Sequence, residues 1–82
     1  MTEAPTEIVL HRVDPARNMA RFYRLSIEPN LFGGSSLVRN WGRIGARGQS
    51  KLEFFDDDDA TRGAMGRIAR RKLARGYGSP AA

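Results

Sequence analysis

The residues with the clearest potential for chemistry surround the single tryptophan of the chain. Trp41 lies between Arg39 and Arg43 in an alternating segment, so the three side chains share one face of a predicted strand. An indole can stack on a sugar or a base, and a guanidinium binds phosphate or carboxylate through paired hydrogen bonds. This pattern is typical of a nucleic-acid-binding surface when it is exposed. The alternative is structural, because a lone tryptophan in a small domain commonly belongs to the core, here together with Tyr23.

The charge of the chain is arranged in blocks around this tryptophan. The 82 residues include 14 Lys and Arg and 9 Asp and Glu, which gives a net charge of +5. Residues 39–51 contain four basic side chains and no acid, residues 52–59 five acids and no base, and residues 60–82 six basic side chains and no acid. A GC-rich genome would explain why arginine outnumbers lysine, but it would not explain the absence of acids from residues 39–51. The blocks therefore predict a sided electrostatic field.

The remaining polar motifs argue against an enzyme. The chain has no cysteine and a single histidine, His11, which excludes a disulfide framework, a zinc finger and a multi-histidine metal site. The acidic run Asp56–Asp59 lacks the alternate ligand spacing of a calcium loop and is better placed to cap a following helix. We therefore predict no catalytic residue, no metal and no cofactor.

The glycines near Trp41 indicate a turn. Gly42, Gly45 and Gly48 stand between two predicted strands, whereas a dinucleotide-binding fingerprint needs a strand, the glycines and then a helix. A hairpin turn flanked by Arg43 and Arg47 would still allow an anion to approach the backbone closely.

These residues require a small antiparallel sheet to position them. Alternating segments predict strands at residues 7–13, 19–28, 36–44 and 49–55. A helical pattern follows from about residue 58 to residue 75, with a predicted buried stripe of Ala60, Ala64, Ile68 and Leu73 beside Met65 and Ala69. We expect the loop residues Leu31 and Phe32 to fold back over the core edge. The predicted fold class is α+β, with about four strands and one C-terminal helix packed on them.

The length allows one domain. We expect a disordered lead at residues 1–6, the domain at residues 7–77 and a frayed tail at residues 78–82. The polar start is unlike a signal peptide, and no apolar run approaches the roughly 20 residues of a membrane span. The prediction is a cytoplasmic protein without a membrane partner, monomeric rather than oligomeric.

Several segments of the sequence, in order along the chain, resemble a known family. The segment from Asn40 to Gln49 contains Trp41-Gly42-Arg43 and looks like the signature of the WGR domain, which is named after that tripeptide. Similar motifs occur in order along nearly the whole chain, from about Val9 to Tyr77: Asn18–Tyr23, Leu31–Gly33, Phe55 with Ala60, and Lys72 with Gly76-Tyr77. The resemblance is to the bacterial stand-alone members in particular. Ala20 stands where the domains of poly(ADP-ribose) polymerases often have asparagine.

The resemblance implies a function in nucleic-acid binding. In poly(ADP-ribose) polymerases the domain binds DNA ends and contacts neighbouring domains, with the motif tryptophan stacked on a terminal sugar. We therefore expect a non-enzymatic module that binds DNA ends, nicks or a 5′-phosphate. The predicted site residues are Trp41, Gly42, Arg43, Arg39, Arg47, Lys51, Arg21 and Arg24. The alternative is an interaction module that uses the same face on an acidic protein. The basic helix residues Arg67, Arg70, Arg71 and Arg75 are either a second binding surface or a solvated outer face.

Overall fold

The computed structural model describes residues 6–31 and 33–80 and contains one sheet and one helix. The strands are β1 (Glu7–Asp14), β2 (Met19–Pro29), β3 (Ser35–Arg43) and β4 (Gln49–Phe55), and the helix is α1 (Asp58–Ala74), with a single 3-10 turn at Pro15–Arg17. The strands follow the order β1-β2-β3-β4, and each neighbouring pair is antiparallel. The α+β class and the arrangement predicted from the alternating segments are confirmed.

The core lies between one face of the sheet and α1. Leu25 and Leu37 are completely buried, each at 0% exposure, and they come from the two central strands. Met65 and Ile68 of α1 pack against them. Because successive side chains of a strand alternate between faces, this face also carries Tyr23 and Trp41 further along the same two strands.

The acidic run starts the helix, as predicted. Asp57 is the N-cap residue, and its carboxylate accepts a hydrogen bond of 2.7 Å from the Ala60 amide. Asp58 and Asp59 lie in the first turn, where negative charge complements the helix dipole.

The predicted buried stripe of the helix is correct at its centre and wrong at both ends. Ala64 and Ile68 are buried, but Ala60 and Leu73 are exposed. Thr61 makes the first buried contact instead, through a 2.5 Å hydrogen bond between its Oγ1 and Ser35 Oγ. Leu73 is five residues beyond Ile68 and is turned away from the sheet, whereas Lys72, four residues beyond Ile68, remains on its sheet-facing side.

Two predictions about the connecting segments need revision. Leu31 does not cover the core, because its side chain is 97% exposed, and Phe32 lies outside the described residues. Gly78, predicted to be part of a frayed tail, forms a two-hydrogen-bond bridge with His11 of β1, with N···O distances of 2.8 and 2.9 Å. Residues 1–5, 81 and 82, in the predicted lead and tail, also lie outside the described residues.

The other face of the sheet has no helix over it in the described part of the chain. Val13, Leu52 and Phe54 on this face are 50% or more exposed. Among the described residues, no helix is both long enough and apolar enough to cross a bilayer.

Candidate nucleic-acid interface

The helix covers only part of its face of the sheet, and an aromatic cluster marks where the cover ends. The rings of Trp41 and Tyr23 are stacked, with centroids 5.9 Å apart and an interplanar angle of 16°. Tyr77, just after the helix, contacts Tyr23 edge-on at 6.4 Å. Trp41 is half-buried. Its indole packs against the core, as the structural interpretation predicts, and also borders solvent, as the binding interpretation requires.

Tyr23 connects this cluster to the charged residues beside it. It is 4% exposed, and its hydroxyl accepts a hydrogen bond of 2.9 Å from Arg39 Nε. Arg39 Nη1 also donates to Glu53 Oε1 at 2.7 Å. Partial burial opposes the charge of Arg39, but its hydrogen bonds to Glu53 and Tyr23 outweigh burial and raise its pKa. Arg39 is therefore a braced cation whose position is set by both neighbours.

Lys72 approaches the aromatic cluster from the helix. Its Nζ lies 4.4 Å from the centroid of the Tyr23 ring and 5.6 Å from that of Tyr77, which is cation–π geometry. Burial lowers the pKa of Lys72, and the positive charges of Arg75, Arg39, Arg71 and Arg21 lower it further. A lysine held among so many cations is well placed to attract an anion.

Arg43 is held by the turn that precedes β2. Its guanidinium donates to the Asn18 carbonyl at 3.3 Å and to Asn18 Oδ1 at 3.4 Å. Asn18 adopts a left-handed backbone conformation with φ of 51°, which asparagine tolerates better than most residues. Both partners of Arg43 are neutral, so its positive charge is not compensated by them.

These groups border one groove of about 710 Å³. Its lining includes six cationic side chains and no acid: Arg17, Arg21, Arg39, Arg43, Lys51 and Lys72. Arg17 lies 3.6 Å from Asp14, and Arg39 is paired with Glu53. The other four cations have no carboxylate oxygen within 4.0 Å of their side-chain nitrogens in residues 6–31 and 33–80: Arg21, Arg43, Lys51 and Lys72. We call this concavity the basic groove.

Gly42 contributes through the absence of a side chain. A Cβ at this position would lie 2.7 Å from Gly48 Cα, so the two glycines let the ends of the hairpin cross in close contact. Gly48 also has a positive φ of 74°, which favours glycine. From the other face Asn40 Nδ2 secures the turn by donating to the Gln49 carbonyl at 2.8 Å. The turn predicted from the glycine pattern is confirmed.

Six of the eight predicted site residues come together in the basic groove: Trp41, Gly42, Arg43, Arg39, Lys51 and Arg21. Arg24 and Arg47 do not line this groove. Arg24 follows Tyr23 directly in β2 and therefore points to the opposite face of the sheet. It borders a separate depression of about 290 Å³ there, together with Arg47 from the hairpin turn and His11.

Sequence reasoning missed several residues as parts of the groove. Lys72 is named above only in a family-like motif, although its spacing of four residues from Ile68 places it on the sheet side of the helix. Tyr23 shares the strand parity of Arg21 and could have been found in the same way. Asn18 and Tyr77 belong to family-like motifs, but no local pattern places them beside Arg43 and Tyr23, because only long-range packing brings them there. The basic helix residues Arg67, Arg70 and Arg71 form a surface of their own.

The fold and the groove define a small sheet-and-helix module with an aromatic and cationic face. The chain matches the family model of the WGR domain over residues 6–82 and belongs to that family, which is associated with nucleic-acid binding. It is 47% identical over 78 residues to "Uncharacterized protein y4dW" of Sinorhizobium fredii (strain NBRC 101917 / NGR234). The alignment covers 94% of this chain but 38% of that relative. No solved structure gives a significant match.

Proposed function

We propose that this protein is a non-enzymatic module that binds DNA ends or nicks through the basic groove. The observation that supports it most directly is the Trp41–Tyr23 stack bordered by cations, four of which lack a carboxylate partner in the described part of the chain. Stacking side chains and a positively charged groove are the two elements by which proteins bind single-stranded nucleic acid without sequence preference.

The roles of the residues follow from their positions. Tyr23 packs against one side of the Trp41 indole, and the part of the indole that borders the groove is available to a sugar or base. Such a surface is accessible on DNA at a strand terminus, where the last nucleotide has no neighbour on one side. Arg21, Arg43 and Lys51 would neutralise phosphates, and a 5′-phosphate would add charge at the terminus itself.

The groove is suited to contacts with phosphate, which provide affinity and orient the DNA, and not to contacts with base edges. Its polar side chains are mostly cations, and Asn18, an amide that could read a base edge, is already engaged by Arg43. Phosphate contacts carry no sequence information, so we expect little base preference and a strong dependence on salt.

A comparison of DNA forms tests the proposal. We would measure affinity for a blunt 5′-phosphorylated duplex, the same duplex without the phosphate, and a covalently closed circle of equal length, over a salt series. The phosphorylated duplex should bind most tightly and the circle least. Equal affinity for all three would contradict end recognition, and no binding at low salt would contradict nucleic-acid binding altogether.

The variant Trp41→Ala tests the stacking role. Loss of one stacked base or sugar should weaken binding by about 1–3 kcal/mol. Circular dichroism must show that the variant is folded, and Trp41→Phe should retain much of the affinity because it keeps an aromatic surface. A folded Trp41→Ala protein with unchanged affinity would reject the role. If the protein bound an acidic polypeptide but bound no nucleic acid at any salt concentration, the alternative function, interaction with an acidic protein, would replace the proposal.

A further inference from the structure

The two edges of the sheet differ in how their backbone groups are satisfied. At the β1 edge, Gly78 pairs with His11 through two hydrogen bonds. At the β4 edge, no strand or bridge within the described ranges pairs with Gln49–Phe55 on the side away from β3. Strand β4 also contains no proline, and its pairing with β3 runs without a bulge from Gln49 to Phe55. An edge of this kind is a template for another strand.

The side chains of this edge are unusually exposed on the uncovered face. Leu52 is 50% exposed and Phe54 is 68% exposed. On the helix side the same strand carries Lys51, which also borders the basic groove, and Glu53, which accepts a hydrogen bond from Arg39 within the chain. These two side chains have opposite charges and lie two residues apart. Lysine on an edge strand commonly prevents pairing, so a partner strand would have to neutralise the charge of Lys51.

A second copy of β4 does so in one register. When two β4 strands pair antiparallel with Leu52 opposite Leu52, Lys51 of each copy lies opposite Glu53 of the other. In the same register Phe54 is diagonal to Leu52 of the second copy, which lets both apolar side chains lose water. All seven residues of the strand find a partner, from Gln49 to Phe55.

The neighbouring two-fold registers are opposed by charge. A shift in one direction places Lys51 opposite Lys51, and a shift in the other direction places Glu53 opposite Glu53. Like charges directly opposite each other are destabilising. A register shifted by a single residue would turn the second copy over. The helix side of one copy would then continue into the uncovered side of the other. The order of residues in β4 therefore specifies one self-complementary pairing.

The charge blocks of the chain extend this complementarity beyond the strand. The two-fold axis through Leu52 lies at the boundary between the acid-free residues 39–51 and the base-free residues 52–59. Arg39 and Arg43 lie on β3, one strand in from the paired β4 strands. Continued past the strand ends, however, the same register brings Arg47 of one copy toward Asp56 and Asp57 of the other. Isologous interfaces have this property, because one patch carries both halves of each contact.

The helix leaves room along much of this edge. Helix α1 begins at Asp58, three residues after β4 ends, and contacts β4 near Phe55. It then crosses β3, where Thr61 contacts Ser35, and reaches β2 at its other end, where Lys72 lies 4.4 Å from the Tyr23 ring centroid. It therefore runs diagonally away from β4 toward the β1 edge. We propose that β4 is a homodimerisation edge, which joins two copies into one continuous eight-stranded sheet with both basic grooves on the same side.

Sedimentation equilibrium without nucleic acid tests this proposal independently of the proposed function. The measurement would run to about 1 mM protein in about 0.15 M salt, which screens the +5 charge of each copy. We expect a reversible monomer–dimer equilibrium. A purely monomeric protein at the highest concentration would overturn the proposal.

Charge reversal then identifies the interface. The single variants Lys51→Glu and Glu53→Lys each place like charges opposite each other and should weaken self-association by about tenfold or more. An equimolar mixture of the two should dimerise, because every pair across the strand again has opposite charges. Failure of the mixture to associate, while circular dichroism shows both variants folded, would overturn the assigned register.

A third variant avoids both charged residues and their contacts. Leu52→Lys adds a charge at a position that is already half exposed, and it should abolish dimerisation because two lysines would meet at the two-fold axis. Val13→Lys is the matched control, since Val13 is 59% exposed on the same face of the sheet and lies in β1, at the opposite edge. Equal dimerisation of these two variants would overturn the proposal.

Discussion

The helix-side face of the sheet has two ends built on the same strands, and they differ in nearly every property. At one end Leu25 and Leu37 are fully buried beneath α1. At the other end Arg21 and Arg43, from the same two strands and with the same parity, border the basic groove. The alternation of the strands is continuous across both ends. The difference therefore comes from the helix, which covers one end and leaves the other open.

Tyr23 marks the boundary between these two ends. Its ring is buried with the core residues, and it also stacks with Trp41 and lies 4.4 Å from Lys72 Nζ. A boundary of this kind gives a binding surface a rigid foundation, because the side chains that would contact the ligand pack against residues that already stabilise the fold. The comparison predicts that substitutions at the covered end change stability and that substitutions at the open end change binding.

The largest effect is expected at the covered end. Leu37→Ala removes a completely buried side chain from the centre of the sheet, and it should lower the free energy of unfolding by about 2–5 kcal/mol. Chemical denaturation would measure this change. In conditions where the variant remains folded, its affinity for DNA should be close to that of the parent protein. A loss of affinity in fully folded protein would show that the two ends are not separable.

The second effect contrasts the groove with the opposite face of the sheet. Arg43→Ala should reduce the slope of log affinity against log salt by about 0.9, the value for one lost phosphate contact on duplex DNA. Arg24→Ala is the matched control, because it removes the same charge from the opposite face. Salt titrations of both variants would measure the slopes. Equal reductions would mean that DNA contacts both faces or that only total charge matters.

A smaller effect is expected at the boundary itself. Tyr23→Phe keeps the ring that stacks on Trp41 but removes the hydroxyl that accepts a hydrogen bond from Arg39. We expect stability to fall by about 0.5–1.5 kcal/mol, the usual contribution of one hydrogen bond. Denaturation and DNA titration would be measured together. A loss of binding as large as that of Trp41→Ala would assign the hydroxyl a direct role that this geometry does not require.

The smallest effect concerns the protonation of Lys72. Because burial and neighbouring cations lower its pKa in the folded protein, the unfolded chain binds this proton more tightly. Lys72 therefore opposes folding below its folded-state pKa, and this opposition disappears as pH rises from that value toward the ordinary 10.5 of lysine. A phosphate bound in the groove should raise the pKa again by offsetting the nearby positive charge.

Nuclear magnetic resonance of the Lys72 side chain would follow this titration directly. The free protein should titrate below the ordinary lysine value, and addition of a short 5′-phosphorylated duplex should shift the transition upward. An unchanged Lys72 titration in the DNA-bound protein would place the phosphate away from this lysine.

Much of the fold was predictable because its signals are local. Alternation predicted the four strands to within one residue at either end, and the acidic run before the helix predicted its cap at Asp57. The glycines predicted the hairpin turn, since a positive φ at Gly45 and Gly48 is a property of the turn itself. Leu31 was predicted incorrectly because an apolar residue in a loop carries no periodicity that says which way it points.

The candidate site was less predictable. The same-face relation of Trp41, Arg39 and Arg43 follows from strand parity, and so does the exclusion of Arg24, which is one residue out of phase with Arg21. Strand parity alone therefore separates Arg24 from the groove residues. No pattern in the sequence places Tyr77 and Asn18 beside them, because those contacts form between segments that are distant along the chain.

The amino-acid sequence by itself determined the elements, the faces of the strands, the capped start of the helix and the acid-free block around Trp41. The tertiary structure decided how far along the sheet the helix extends, and with it which part of one face becomes core and which becomes groove. The physical reason is the range of the interactions. Alternation and capping depend on neighbours in sequence, whereas the path of α1 depends on packing against β2 and β3 that no local segment contains.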